Sequence, residues 1–324
     1  MKIKTLMKST VAGALMTAVI GGPSMADETI AIGELSWDGA RAIGYVMKGV
    51  IELRLGGKAE MKKAEAAVIF AGMDKGDGGL DVYTDVWMPN QGEKWATYID
   101  EKGTVDHNTT PYKGTQKIFI PKYVQEEYGV KTIEDLNRDD VVELFDRDGN
   151  GKAEYWPGAP GWNSTNMWQI KFRSYGLDDK WEAVSIDDAI FKAQLDSAYK
   201  KKEAMLFYYW TPEWLHAAYD IVPIDEPAHT DGCMEVYQPK DREDWLEAST
   251  FNCSSKDAQV WVAFSKSLYD RAPKVAKFLK NISLDPATVN EWILQVGRDK
   301  LDPQDVAEDW IDANPEIVDK WING

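Results

Sequence analysis

The sequence predicts an α/β protein with largely parallel sheets. Short β-rich apolar runs alternate with stretches of helical period, Pro and Gly punctuate the junctions, and several Trp stand just after the runs. That alternation is the pattern of strands joined by crossover helices. In open sheets of this kind, loops beyond the carboxyl ends of the strands carry the ligand. Trp37, Trp87 and Trp210 occupy such positions.

Taken in order, Glu28 to Gly33 is a short β-rich run ending at Gly. Asp38 to Leu55 reads as a helix, with Ala42, Ile43, Val46, Val50, Ile51 and Leu55 in a 3.6-residue rhythm. Ala66 to Phe70 is apolar enough for a buried strand, and Leu80–Tyr83 with Val86-Trp87 forms the next, broken at Met88-Pro89-Asn90. Lys117 to Ile120 is a further strand, and Thr132 to Asp135 caps a helix start of the Thr-x-x-Asp type. A small-residue loop, Gly158 to Thr165, precedes a helix over Met167–Tyr175, and Ala204 to Tyr209 is a central strand. Residues 256 to 324 read as helices punctuated by Pro273, Pro286, Pro303 and Pro315.

Composition narrows the classes. The 324 residues carry 37 Lys plus Arg against 54 Asp plus Glu, a formal charge of −17. That balance excludes an electrostatic nucleic-acid binder, which needs a basic face. Lys2, Lys4 and Lys8 before an apolar run, Val11 to Gly22, and small residues at Pro23-Ser24-Met25-Ala26 read as an export signal cleaved after Ala26. Removal of those three lysines and no acid takes the charge from −17 to −20. The mature protein is then expected in the periplasm. An even pair, Cys233 and Cys253, fits that oxidising compartment as a disulfide.

Asp146-Arg147-Asp148-Gly149-Asn150-Gly151-Lys152-Ala153-Glu154 matches the first nine positions of an EF-hand loop. Asp146, Asp148, Asn150 and Glu154 offer side-chain oxygens, Gly151 holds the sixth position, and Lys152 offers its carbonyl at the seventh. Pro157 stands where a bidentate Glu belongs, so a bound Ca²⁺ needs another carboxylate or water. Such an ion would be structural, bracing the loop from Trp156 to Trp162.

Three stretches carry a resemblance: Ile32–Trp37, Gly78–Pro89 and Tyr208–Trp214. With them the chain resembles the periplasmic substrate-binding proteins of ABC importers for quaternary amines, over most of the mature sequence. The resemblance implies two α/β lobes that close on a ligand about a hinge, a permease and its ATPase as partners, and an aromatic box including Trp37, Trp87 and Trp210. The family pattern, with Pro111 and Pro223 to Pro227, sets lobe 1 at 27–113 and 223–324 and lobe 2 at 114–222; a monomer is expected. Ligands of the family include glycine betaine, choline, carnitine and trimethylamine N-oxide.

The physics of such a box stands apart from the resemblance. A quaternary ammonium has no N–H, so hydrogen bonds cannot grip it, whereas each desolvated aromatic face contributes about 2 kcal/mol at best. Three or four walls support micromolar binding, about −8 kcal/mol. Trp162, in the small-residue loop, is the fourth wall, with Trp214 and Tyr112 in reserve; Trp156 and Trp168 pack around the loop. Trp245, Trp261, Trp292, Trp310 and Trp321 stand at helical positions and read as packing residues.

Glu34 and Asp38 flank Trp37, and Glu213 follows Trp210 with His216 only further on. His107 and His229 read as surface residues. This acidic setting points away from a carboxylate ligand and toward choline or, for a compact head without a tail, trimethylamine N-oxide. A secreted carbohydrate-active enzyme is the rival class, but no H-E-x-x-H, G-x-S-x-G or C-x-x-C is present. A carbohydrate-binding protein would need more polar side chains around the rings.

Overall fold

The computed structural model describes residues 28–324; the export signal read over residues 1–26 lies outside them. Strands are β1 (Thr29–Glu34), β2 (Lys58–Lys63), β3 (Val82–Met88), β4 (Val105–His107), β5 (Tyr112–Pro121), β6 (Ala153–Trp156), β7 (Trp181–Ala183), β8 (Leu206–Thr211), β9 (Ile221–Pro223), β10 (Met234–Glu235), β11 (Thr250–Phe251) and β12 (Ala258–Ser265). The main sheet runs β2-β1-β3-β12-β5-β8-β6-β7, with β4 on β12 and β9 on β5.

β5 is shared by two halves of this sheet. Its first residues, Tyr112 to Gly114, pair with Val260 to Ala258 of β12. From Thr115 to Phe119 it pairs instead with Thr211 to Phe207 of β8. A first half built on β1, β2, β3 and β12 therefore joins a second built on β6, β7 and β8 through one continuous strand.

The sheet is mixed rather than largely parallel. β1 is parallel to β2 and β3, and β6 to β7 and β8, but β12 runs antiparallel to β3 and β5, and β5 antiparallel to β8. Part of the cause is β12, a strand in the segment expected to be helical; its Val260, Val262 and Phe264 are buried at every second residue. Ala66–Lys75, expected to begin as a strand, is a helix, and Ile69, Phe70 and Met73 form its buried face. A short apolar run does not separate the two states, and the strand there is β2, which is rich in Lys and forms an edge. The helix packs so closely on β1 that a Cβ on Gly33 would lie 2.4 Å from Ile69 Cδ1.

The other expected elements form. Asp38–Gly49 is an α-helix continued by a wider turn over Val50–Arg54. The Thr132–Asp135 capping box opens a short 3-10 helix. Pro273, Pro286, Pro303 and Pro315 each begin a helix, where a missing N–H costs nothing. Among the described residues no helix is long and apolar enough to cross a membrane.

The Cys233–Cys253 disulfide is formed, with Cα atoms 6.0 Å apart, across the β10–β11 ribbon. The ribbon holds the helix Asn163–Ser174. Buried Lys171 of that helix pairs with Glu226, donates to the Cys253 carbonyl at 2.6 Å and lies 4.1 Å above the Phe251 ring. This clamp fixes the helix at whose start Trp162 stands.

Candidate functional site

The two-residue period of a strand puts Tyr83, Asp85 and Trp87 on one face of β3. Trp37 follows β1, Trp210 lies near the end of β8, and Trp162 is the N-cap of the helix Asn163–Ser174. These elements converge on a pocket between the two halves, enclosing about 480 Å³ of atom-free space including its open mouth. Its walls are Trp37, Trp87, Trp162, Trp210, Tyr83 and Tyr208, with Glu65 at the mouth.

The four indoles stand edge to face. Trp37 and Trp162 have centroids 5.5 Å apart at 80°, Trp162 and Trp210 5.4 Å at 70°, and Trp87 and Trp210 6.4 Å at 70°. Planes set near right angles keep these rings from stacking face to face with one another. Behind the box, Trp156 stacks on Phe191 at 3.9 Å and meets Trp162 edge-on. Trp168 lies beneath the Lys171 ammonium.

Asp85 orients two of these walls. It is 1% exposed, and one carboxylate oxygen accepts from Trp37 Nε1 at 2.6 Å and Trp87 Nε1 at 3.0 Å. The other accepts from the Tyr112 hydroxyl at 2.5 Å. Burial pushes the Asp85 carboxyl up while these three donors pull it back. A carboxylate accepting indole N–H bonds also shifts electron density toward the rings, strengthening their attraction for a cation. Tyr112 thus supports Trp87 from behind and is not part of the pocket lining.

The remaining reserve residues lie elsewhere. Glu34 reaches Arg41 at 3.5 Å. Asp38 takes Lys192 of the second half at 2.8 Å and the Trp214 indole N–H at 3.2 Å. Asp188 holds the same lysine at 2.8 Å. Glu213 is buried against this group, and burial pushes its carboxyl up to about 8. None of Glu34, Asp38, Tyr112 and Trp214 lines the aromatic pocket. His216 is spent on the Trp210 carbonyl at 2.8 Å.

Sequence reading missed Asp85, Tyr83 and Glu65. An acid inside the apolar run Val82–Met88 was the signal for Asp85, since a charged residue is seldom fully buried without partners. Among the described residues no Lys, Arg or His lines the pocket, which leaves no side-chain cation there to neutralise a ligand carboxylate.

In the EF-hand-like loop, Asp146 accepts from the backbone N–H of Gly149, Asn150 and Gly151 at 2.8–3.1 Å. Glu154 on β6 lies beside Glu182 on β7 in the strand register. Oxygens of Asp148, Glu154 and Glu182 come within 4.8 Å of one another. Lys152 contributes its backbone N–H to the Asn150 side chain at 2.8 Å. The donor set is hard oxygen throughout, the chemistry Ca²⁺ prefers.

The family model described as "Substrate binding domain of ABC-type glycine betaine transport system" matches residues 28–313. A trimethylamine N-oxide-binding protein of Pelagibacter ubique (strain HTCC1062) is 23% identical over 322 residues, 98% of this chain and 98% of that one. A lactococcal OpuAC, closed on glycine betaine, superposes with a TM-score of 0.71 at 19% identity, covering 92% of this chain and 100% of that one. An ABC-transporter choline binding protein in complex with choline gives a TM-score of 0.71 at 21% identity, covering 91% and 92%. At such identities the structural likeness is one of fold.

Proposed function

Because the chain belongs to the family of substrate-binding domains of ABC-type glycine betaine transport systems, we propose that it captures trimethylamine N-oxide outside the cytoplasm and delivers it to an importer. Its relatives are solute-binding proteins of ABC transporters and not enzymes. A small quaternary or methylated amine is the ligand class, and the permease and its ATPase are the partners of a monomeric binding protein. The observation that carries the choice of ligand is the box of four indoles with, among the described residues, no Lys, Arg or His in its lining. Such a box holds the trimethylated head by its methyl groups and diffuse positive charge. It has no cationic side chain for the carboxylate of a betaine. Choline is the second reading, favoured by the carboxylate of Glu65 at the mouth. Calorimetric titration tests the order: trimethylamine N-oxide binds more tightly than glycine betaine, with choline the nearest competitor. Tighter binding of glycine betaine would overturn the ligand, and binding of no methylated amine would overturn the function.

We also propose two closing lobes and a structural metal ion. Lobes at 27–113 with 223–324 and at 114–222 close on the ligand, and the change of β5's partner strand between Gly114 and Thr115 supports a division there. A structural Ca²⁺ is held by Asp146, Asp148, Asn150, the Lys152 carbonyl and Glu154. Glu182 supplies from the neighbouring strand the carboxylate that Pro157 cannot.

A further inference from the structure

A trimethylated N-oxide presents one strong acceptor, its oxygen, and the box of rings satisfies only its methyl groups. The polar side chains of the wall are mostly engaged with one another. Asn90 and Gln116 exchange amide hydrogen bonds at 2.7 and 3.0 Å. Asn163 donates to the Asn90 carbonyl, and the Tyr208 hydroxyl donates to Gln116 at 2.7 Å. Trp37 and Trp87 give their N–H groups to Asp85, and Trp162 gives its own to Ser36 at 3.2 Å. Trp210 stacks on Tyr209 at 4.3 Å and offers the pocket a ring face.

Tyr83 differs. The residue is 1% exposed and lines the pocket. Its ring is locked against Phe70 at 5.3 Å, and its hydroxyl makes no hydrogen bond to the described residues. It projects from the same face of β3 as Trp87. We propose that the Tyr83 hydroxyl is the specificity-determining donor of the pocket, hydrogen-bonded to the ligand oxygen while the four indoles hold the methyl groups. The assignment rests on the reading of the site as a methylated-amine pocket. Burial and the nearby carboxylates of Asp85 and Glu65 push the phenol well above its ordinary range, so it keeps its proton and remains a donor. A pocket whose donor has no protein partner discriminates against a ligand lacking the acceptor, because that donor then goes unused.

Tetramethylammonium is the matched probe, since it replaces the oxide oxygen with a methyl group. Titration calorimetry with both compounds compares the full-length mature protein with Tyr83→Phe, which removes one hydroxyl and keeps the ring. The variant should bind trimethylamine N-oxide at least about tenfold more weakly, equivalent to about 1.4 kcal/mol, and tetramethylammonium within about twofold of the parent. Equal losses for both compounds, or no loss for either, would overturn the assignment. Gln91→Met is the comparison, because Gln91 is a wall residue whose buried side-chain oxygen also lacks a partner. A loss specific to the N-oxide in that variant and not in Tyr83→Phe would move the role to Gln91 and refute the assignment. If the parent protein binds neither compound, the methylated-amine reading itself fails and the assignment falls with it.

Discussion

Asp85→Asn separates the charge behind the box from the geometry of the box. The amide oxygen can take the place of the carboxylate oxygen that receives Trp37 and Trp87, and the Tyr112 hydroxyl can reverse to accept from the amide. All three contacts then survive, each weakened by about 1 kcal/mol as a charge-assisted bond becomes neutral. Relief of the burial that pushes the carboxyl up offsets much of that loss, so the melting temperature should move by only a few degrees. Binding should respond more. The charge acts on a ligand nitrogen roughly 7 Å away, one hydrogen bond plus an indole distant, and at an effective dielectric constant of about 20 this amounts to about 2 kcal/mol. Choline, a full cation, should therefore lose about thirtyfold in affinity. Trimethylamine N-oxide should lose less, because its oxygen carries the opposite charge. Calorimetry with both ligands near pH 8, beside thermal melts, measures both quantities. Choline affinity within about twofold of the parent would show that Asp85 only positions the rings and that its charge is not felt in the pocket.

Trp162→Ala removes a wall that half the box touches, and a loss of about 1–3 kcal/mol in ligand binding is expected by calorimetry, with a smaller fluorescence change on titration. Glu213 gives a pH signature. Its folded carboxyl is pushed up to about 8, so its contribution to stability is full below about pH 4.5 and is lost as pH rises toward 8. Glu213→Gln should accordingly melt higher than the parent at pH 9, and by more than any difference at pH 5; equal differences at both would refute the burial argument. Chelation should lower the melting temperature if Ca²⁺ fills the Asp146–Glu154 loop, and Asp148→Ala should erase that response. An unchanged melt with no metal by elemental analysis would remove the ion from the account.

Legibility followed the strength of local signals. The helix from Asp38 and the central strand near Tyr208 announced themselves by period and apolar length. β2 did not, because on this Lys-rich edge strand the alternation rests on Ala59 and Met61 alone. β12 was hidden by its helical surroundings although Val260, Val262 and Phe264 alternate. The Trp positions were legible because indoles at strand ends are rare and conspicuous. Their support was not: Asp85 acquires its role only when β1, β3 and β5 bring Trp37, Trp87 and Tyr112 to one carboxylate. Glu34 and Asp38 show the converse. Within three residues of Trp37 in sequence, they turn to Arg41 and Lys192.

The contacts that join the two halves of the sheet are made by the protein itself. Lys192 reaches Asp38 at 2.8 Å and the Trp162 indole N–H reaches Ser36 at 3.2 Å. The Lys192–Asp38 pair requires nothing of the molecule in the pocket beyond leaving room for the halves to meet, whereas Trp162 is itself a wall of the box. If the lobes close on the ligand as proposed, the strength of the Lys192–Asp38 pair enters the affinity for every ligand by the same factor, the fraction of molecules already competent to bind. Preference among ligands is left to the pocket walls. On that closure the Lys192–Asp38 pair sets a common gain and the rings a discriminating filter, and selection could turn down the first to match a scarce or abundant solute without disturbing the second.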